Sequence, residues 1–380
     1  METRADHASP RTATASRDRL TFGVEEEFLV VDKAGQLSEA AVDVVDAAEH
    51  DQGDLQRELT RSQAETATGV CHSHEEALRQ LRSLRAELAQ QAADRDLRLL
   101  PSATTLLDER AGVRITSDRR YQHMADHFGA IARSTVTCGC HVHVAVPDRD
   151  SGVRVLNYLR PWLPALLTIT ANSAVAEGKD TGYHSWRYQQ WGRWPSAGPP
   201  PHFASTDQYD TTIDACRRAG ALLDQGMVYW DARLSDRLPT IELRVADVAA
   251  NPEEAVLLAT LTRGLVATAL DSGEPAERLS NEVLRAHLWR ASRDGASGRC
   301  LHPGTMELAP VNEVVGELVA TSTAALDAAG DLEFVRQGIA RLASEGSGAD
   351  RQRACFRRRE RPEDVVDLLA ITVASSETER

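Results

Sequence analysis

The residues best suited to chemistry are acids placed where a strand would not ordinarily carry them. In Thr21-Phe22-Gly23-Val24-Glu25-Glu26-Glu27-Phe28-Leu29-Val30-Val31-Asp32 an acidic triplet interrupts what otherwise reads as a core strand. A strand turns alternate residues to opposite faces, so Glu25 and Glu27 share one side while Val24, Glu26 and Phe28 share the other. Neighbouring carboxylates on a sheet repel, and they need a cation between them, a shared proton or open solvent. Similar groups recur along the chain. Glu58 and Glu65 flank Leu59-Thr60-Arg61-Ser62-Gln63-Ala64, His141 and His143 alternate in Cys-Gly-Cys-His-Val-His-Val, and Glu242 and Arg244 alternate in Thr-Ile-Glu-Leu-Arg-Val. Oxygen-rich ligands with one imidazole and nearby arginines describe a magnesium–phosphate site better than a zinc site.

Each group also has a plainer reading. Glu25 and Glu27 would serve equally as a charged edge protecting a solvated strand face. Glu242 and Arg244 would form a cross-strand salt bridge on an exposed sheet. The functional reading instead sets Arg244 against a transferring phosphoryl group, for which its planar, permanently charged donors are suited, and Glu242 on a metal. Cys138 and Cys140 beside the two histidines suggest zinc, but on a strand the cysteines face away from the imidazoles. One histidine then faces the carboxylates as a ligand and the other is an ordinary buried imidazole. His72 and His74, just before a helix, read as surface residues. Arg351 and Arg353, in Gly-Ser-Gly-Ala-Asp-Arg-Gln-Arg, read equally as phosphate contacts or as a solvated helix start.

The elements that must position these groups are partly legible. Ser73-His74-Glu75-Glu76 is a capping-box pattern ahead of Ala77, Leu78, Leu81, Leu84 and Leu88 at helical spacing. Asn251-Pro252-Glu253-Glu254 supplies an N-cap, a first-turn proline and first-turn acids for a helix running to about Leu270. A helix after Asp150-Ser151 is kinked or divided by Pro161 and Pro164, and further helices are predicted near 311–329, 332–343 and 362–370. Strands are predicted at 20–31, 97–103, 135–146 and 239–245. These do not alternate strictly with helices, and no glycine-rich dinucleotide turn follows the first strand, so an α+β architecture with an antiparallel sheet is expected. The span Gly178 to Phe203 holds Trp186, Trp191 and Trp194 beside Arg187 and Arg193. It reads as a binding loop, or else as a surface loop pinned by its indoles.

Whole-chain properties narrow the choice. A net charge of −14 over 380 residues argues against nucleic acid and anionic membranes as partners. With Lys33 and Lys179 the only lysines, no Gly-Lys-Ser/Thr phosphate loop exists. The apolar stretch around Trp162 to Ala176 is too short and polar for a membrane span. Residues 1–18 lack a secretory core and read as a disordered tail. Six cysteines in a chain of this size do not make a disulfide framework and fit a reducing cytoplasm.

The motifs Phe-Gly-Val-Glu-Glu-Glu-Phe from Phe22, Cys-Gly-Cys-His-Val-His-Val from Cys138, Asp-Thr-Gly-Tyr-His-Ser-Trp-Arg from Asp180, Arg-Trp-Pro-Ser-Ala-Gly-Pro-Pro from Arg193 and Pro-Thr-Ile-Glu-Leu-Arg-Val-Ala-Asp from Pro239 occur in this order. Together they resemble the glutamate–cysteine ligase type 2 family, the carboxylate-amine ligases of the YbdK kind, from about Leu20 to the Arg-Gln-Arg near residue 353. The resemblance implies a single glutamine-synthetase-like domain over 19–375, with an antiparallel sheet forming a funnel and residues 178–210 covering it. It implies ATP-dependent joining of L-glutamate to L-cysteine through a γ-glutamyl phosphate, in a cytoplasmic enzyme and a homodimer. It implies magnesium on Glu25, Glu27, Glu58, Glu65, His141 and Glu242, and Arg244 on the transferring phosphate. It makes Arg187 a catalytic contact, and Arg193, Trp186, Arg351 and Arg353 contacts to substrate or nucleotide. The chain departs from the family pattern at Ala174-Val175-Ala176, where small residues are expected to widen a pocket wall and alter the substrate. Rival readings are a ligase for another amine or carboxylate, a phosphagen-kinase-like phosphotransferase, a degenerate ligase that binds nucleotide or metal as a regulator, and a structural zinc protein.

Overall fold

Glu25 and Glu27 owe their common direction to a long first strand that is paired on both edges. The computed structural model describes residues 20–107, 112–134, 136–272 and 279–373, and the expected tail at 1–18 lies outside them. The strands among the described residues are β1 (Phe22–Val31), β2 (Asp54–Arg57), β3 (Gln63–Ala67), β4 (Arg98–Leu100), β5 (Gly139–Ala145), β6 (Val175–Ala176), β7 (Lys179–Asp180), β8 (Ala232–Leu234), β9 (Thr240–Asp247), β10 (Arg299–Leu301) and β11 (Leu308–Pro310). Seven of them form one antiparallel sheet in the order β2-β3-β1-β5-β9-β8. β4 takes over from β5 along the far end of β1, pairing Leu29 with Leu100.

Burial along β1 alternates from Phe22 to Glu27 and then becomes continuous from Phe28 to Val31. The alternating part has one face open to the site, whereas the continuous part is covered on both faces, as a strand run of bulky apolar residues requires. Behind the sheet, Val24, Val142, Val144, Ile241 and Leu243 join Val256 and Leu258 in one core. The helices Pro252–Ser272 and His74–Ala93 pack on this side. The expected α+β architecture, an antiparallel sheet with flanking helices, is the observed one.

The local signals operate largely as read. Ser73 Oγ accepts the Glu76 amide, but the Glu76 carboxylate accepts from His72 N rather than Ser73 N, so the box closes one residue early. Asn251 Oδ1 accepts the Glu254 amide at 3.0 Å. The two prolines split one apolar stretch into a helix Arg149–Leu159, a single 3-10 turn Arg160–Trp162 and a helix Leu163–Thr170. A different helix, Pro252–Ser272, is long and apolar enough to cross a membrane, but 67% of its apolar window is buried inside the fold, as for a core helix.

Two expectations are corrected here. His74 is not a surface residue. Its Nδ1 lies 3.0 Å from Asp331 Oδ1 and its ring stacks on Phe334, joining the start of one helix to the start of another. Nor does Ala174-Val175-Ala176 widen a pocket wall. All three residues are buried, and Val175–Ala176 forms a hairpin with Lys179–Asp180 whose turn residues Glu177 and Gly178 both have left-handed φ. The Val175 amide reaches Gln352 in the helix Gly348–Phe356, so small size here serves close packing.

Candidate active site

The site is a cavity of about 200 Å³ over the open face of the sheet. Strand register brings its acids together. Glu27 on β1 lies opposite Glu65 on β3, and Glu25 lies opposite His141 on β5. His143 lies opposite Glu242 on β9, which lies opposite Arg233 on β8. Glu58 enters from the loop before β3 and hydrogen bonds to the Glu65 side chain. A register shift in β9, where Cys140 and Val142 on β5 oppose Ala246 and Leu243, inserts one extra residue. That bulge lets Glu242, Arg244 and Asp247 all serve the same face despite their odd spacing.

The two halves of the cavity differ in charge balance. On the β5–β9 side, burial alone would raise the Glu25 carboxyl, but hydrogen bonds from His141 and His143 outweigh it and hold it well below the usual carboxylate range. His141 Nδ1 stands 3.2 Å from Glu25 Oε2, and His143 Nε2 stands 3.2 Å from Glu25 Oε1. Burial and then the Arg244 guanidinium depress His141 to about 4, whereas His143 is raised because Glu25 and Glu242 overcome its burial. Both imidazoles therefore face the carboxylates. The expectation that only one would do so fails because residues two apart on a strand point the same way. Glu242 is gripped by Arg233, with Nε–Oε2 at 2.7 Å, and by Arg244. These arginines overcome the effect of burial and hold it low.

On the β1–β3 side no such balance exists. Burial and the neighbouring Glu58 push Glu27 up to about 7, and the same two causes raise Glu65 well above its ordinary value. Glu27 Oε2 accepts the Gly139 amide at 2.6 Å, one of its few compensating contacts.

The donor set fits a hard divalent cation. Ligand atoms of Glu25, His141 and Glu242 lie within 4.8 Å of one another. His141 Nε2 is buried without a hydrogen-bond partner among the described residues. Glu27, Glu58 and Glu65 supply an adjacent all-oxygen set whose mutual repulsion a cation would relieve. Zinc through cysteine is not supported, since Cys140 belongs to the core behind the sheet and Cys138 to a separate apolar cluster.

The remaining predicted residues are placed differently. Arg244 lines the cavity under Tyr229, with its Cζ 5.9 Å from that ring, and its Nε is buried without a hydrogen-bond partner among the described residues. Arg187 lies beneath the cavity wall and is 2% exposed. Its guanidinium sits against Gly139, where any side chain would collide with it, and under Trp191 at 5.6 Å. Arg193 is exposed, and Trp186 packs on Tyr183, both away from the acids. Arg351 pairs with Glu254, and Arg353 with Asp180 and the Tyr183 carbonyl; neither lines the acidic cavity.

Sequence reasoning missed Arg233, Arg120, Tyr121 and Tyr229, which line the cavity. Arg233 sits on a strand of three residues, too short for any alternation to show. It also missed the acids beneath Arg187. Asp231 accepts from Tyr188 Oη at 3.0 Å, and Asp247 accepts from Asn172 N, Ser173 Oγ and Ser185 Oγ. Asp247 stands in the quoted Arg-Val-Ala-Asp motif, the one signal that pointed to it. The bonds from Ser185 and Tyr188 fasten the 178–210 segment to Asp247 and Asp231, with Trp191 and Trp194 lining the cavity.

Comparison with known proteins gives a consistent result. The family model described as glutamate–cysteine ligase family 2 matches residues 21–369. A Rhodococcus jostii protein named "Putative glutamate--cysteine ligase 2-1" is 50% identical over 97% of this chain and 100% of its own length. A Mycobacterium relative with the same name numbered 2-2 is 46% identical over 92% and 97%. Among solved structures, a bifunctional glutathione synthetase from Pasteurella multocida matches with a TM-score of 0.68 at 14% identity, covering 93% of this chain and 52% of that one. A glutamate–cysteine ligase from Francisella tularensis in complex with AMP matches with a TM-score of 0.61 at 13% identity, covering 93% and 88%. At these identities the likeness is one of fold.

Proposed function

The chain belongs to glutamate–cysteine ligase family 2, and from that membership and the cavity's charge pattern we propose that it is an ATP-dependent carboxylate-amine ligase. Its reaction would join L-glutamate to L-cysteine through a γ-glutamyl phosphate, in the cytoplasm. The observation that carries this reading is the pairing of an unbalanced carboxylate set with a buried arginine on one sheet face. Burial and neighbouring acids raise Glu27 and Glu65, and at Glu27 they outweigh Arg187 and Arg244, while the Arg244 Nε in the same cavity has no hydrogen-bond partner among the described residues.

Carboxylates are poor electrophiles, so amide formation requires conversion of the γ-carboxylate to an acyl phosphate before the amine attacks. Magnesium held by Glu25, Glu27, Glu58, Glu65, His141 and Glu242 would neutralise the nucleotide phosphates there. Arg244 would meet the transferring phosphoryl group, and its pairing with Glu242 fixes the plane of its guanidinium. Arg187 adds a second buried positive charge below Glu27. His143 and His141 hold the Glu25 carboxyl well below the usual carboxylate range, favouring the ionised form that takes a cation. The ring cluster of Trp191, Trp194 and Tyr229 lines the same cavity and would limit water access to the acyl phosphate.

The test is ATP-dependent ADP release with glutamate and magnesium, with and without cysteine. Products are identified by mass, with Glu27→Gln as control. A cysteine-dependent γ-glutamylcysteine product, lost in the control, is expected. Glutamate-dependent ADP release without that product would transfer the proposal to another amine. Absence of turnover with any amine would favour a non-catalytic binding role.

A further inference from the structure

The third member of the acidic triplet is not accounted for by the site. Glu26 points away from the cavity, is 0% exposed, and lies in the chain between the two acids that face it. Its register partners are Thr66 on β3 and Cys140 on β5, at the centre of the sheet. It is met by Arg85 of the helix His74–Ala93, itself 4% exposed, through Nε–Oε2 at 2.8 Å and Nη2–Oε1 at 2.5 Å. Arg85 Nη2 also donates to the Ala249 carbonyl at 2.9 Å, and Nη1 to that of Ala250 at 3.5 Å. Those two residues connect β9 to the helix Pro252–Ser272.

A single guanidinium therefore ties the middle of β1 to the exit of β9, the strands that carry Glu25 and Glu27 on one side and Glu242 and Arg244 on the other. Burial alone does not require this pair, because Val24 and Phe28 anchor the same face with apolar contacts, and well-packed apolar residues often replace a buried ion pair at no loss of stability. The ion pair adds direction. A planar two-pronged contact admits one orientation, and a small rotation of β1 at Glu26 would swing Glu25 and Glu27 together on the opposite face.

We propose that Glu26 and Arg85 are positioning residues that hold the cavity carboxylates at the spacing a divalent cation needs. This inference rests on the reading of the cavity as a divalent-cation site. Its test is therefore direct binding of manganese(II) to the full chain, followed by electron paramagnetic resonance, alongside the thermal midpoint in EDTA. Wild type is expected to bind manganese. Glu26→Gln, which keeps the shape but leaves Arg85 one side-chain acceptor in place of two, is expected to weaken binding about tenfold, the size of effect typical of groups that orient metal ligands. Arg85→Lys should fall between. The double variant Glu26→Leu/Arg85→Met should lose at least as much affinity while its thermal midpoint stays near that of wild type. In turnover the half-saturating magnesium concentration should rise while kcat at saturating magnesium is retained. Unaltered manganese binding in Glu26→Gln overturns the proposal, and this variant decides the matter if the double variant does not fold. Absence of manganese binding by wild type overturns the cation-site reading and the proposal with it, so the two failures are distinguishable.

Discussion

Asp331 and Glu65 are both acids withdrawn from solvent, but their surroundings differ completely. Asp331 is 0% exposed and has both oxygens filled, one by Arg263 with Nε at 3.0 Å and the other by His74 at 3.0 Å. Arg263 is in turn held by the His72 carbonyl and lies over the Phe22 ring at 4.7 Å. Glu65 is raised by burial and by the charges of Glu58, Glu25 and Glu27. One cluster is complete within the chain; the other, among the described residues, is dominated by like charges, and the proposed function completes it with a cation from outside. Buried charges that join elements come with their counter-ions, and those that bind a cation are left short of one.

Breaking the complete cluster should have the largest consequence. Arg263→Met leaves Asp331 buried with one oxygen unanswered and only His74 on the other, and we expect a loss of roughly 3–5 kcal/mol in denaturant unfolding. The residual folded protein should keep the wild-type divalent-cation dependence. A change in that dependence would mean that the two clusters are not independent.

The incomplete cluster should respond in the opposite sense. Glu65→Gln removes repulsion, so the thermal midpoint of the metal-free protein should rise, while ligase turnover falls about 100-fold, close to 2.7 kcal/mol in transition-state free energy. A lower midpoint in EDTA would show that Glu65 is stabilising and would undo the contrast.

A pH titration sharpens the same point. Glu27 has a folded-state pKa of about 7, above the ordinary glutamate range near 4.3. The folded state therefore keeps a proton that the unfolded chain has released. Stability from this group is fully present below about pH 4 and is lost as pH rises through 7, with a slope of about 1.4 kcal/mol per pH unit for a single proton. Unfolding in EDTA should show this decline, and Glu27→Gln or added magnesium should flatten it. A decline that is equally steep in Glu27→Gln would assign it elsewhere.

The smallest effect is expected at Arg351. Its ion pair with Glu254 is partly exposed and lies outside the acidic cavity, so Arg351→Met should cost about 1 kcal/mol or less and leave the KM for ATP within about twofold. A large rise in that KM would instead place Arg351 at the nucleotide, the role suggested by its Asp-Arg-Gln-Arg sequence.

The chain's own order of residues settled what depends on local geometry. Period-two alternation put Glu25 with Glu27 and His141 with His143, and the signals Ser73 and Asn251-Pro252 marked real helix starts. The motifs also carried the family and, with it, the acids at 58 and 65. Tertiary structure alone decided which charges were answered. That Glu242 is held by Arg233, that Glu26 is held by Arg85 and that Glu65 is raised by Glu58, Glu25 and Glu27 depend on register, a one-residue bulge in β9 and helices distant in sequence. Likewise Ala174-Val175-Ala176 reads as a pocket wall in one dimension and proves to be packing in three. Alternation is written into every strand, but the balance of charge is a sum over neighbours that only the folded chain brings within a few ångströms.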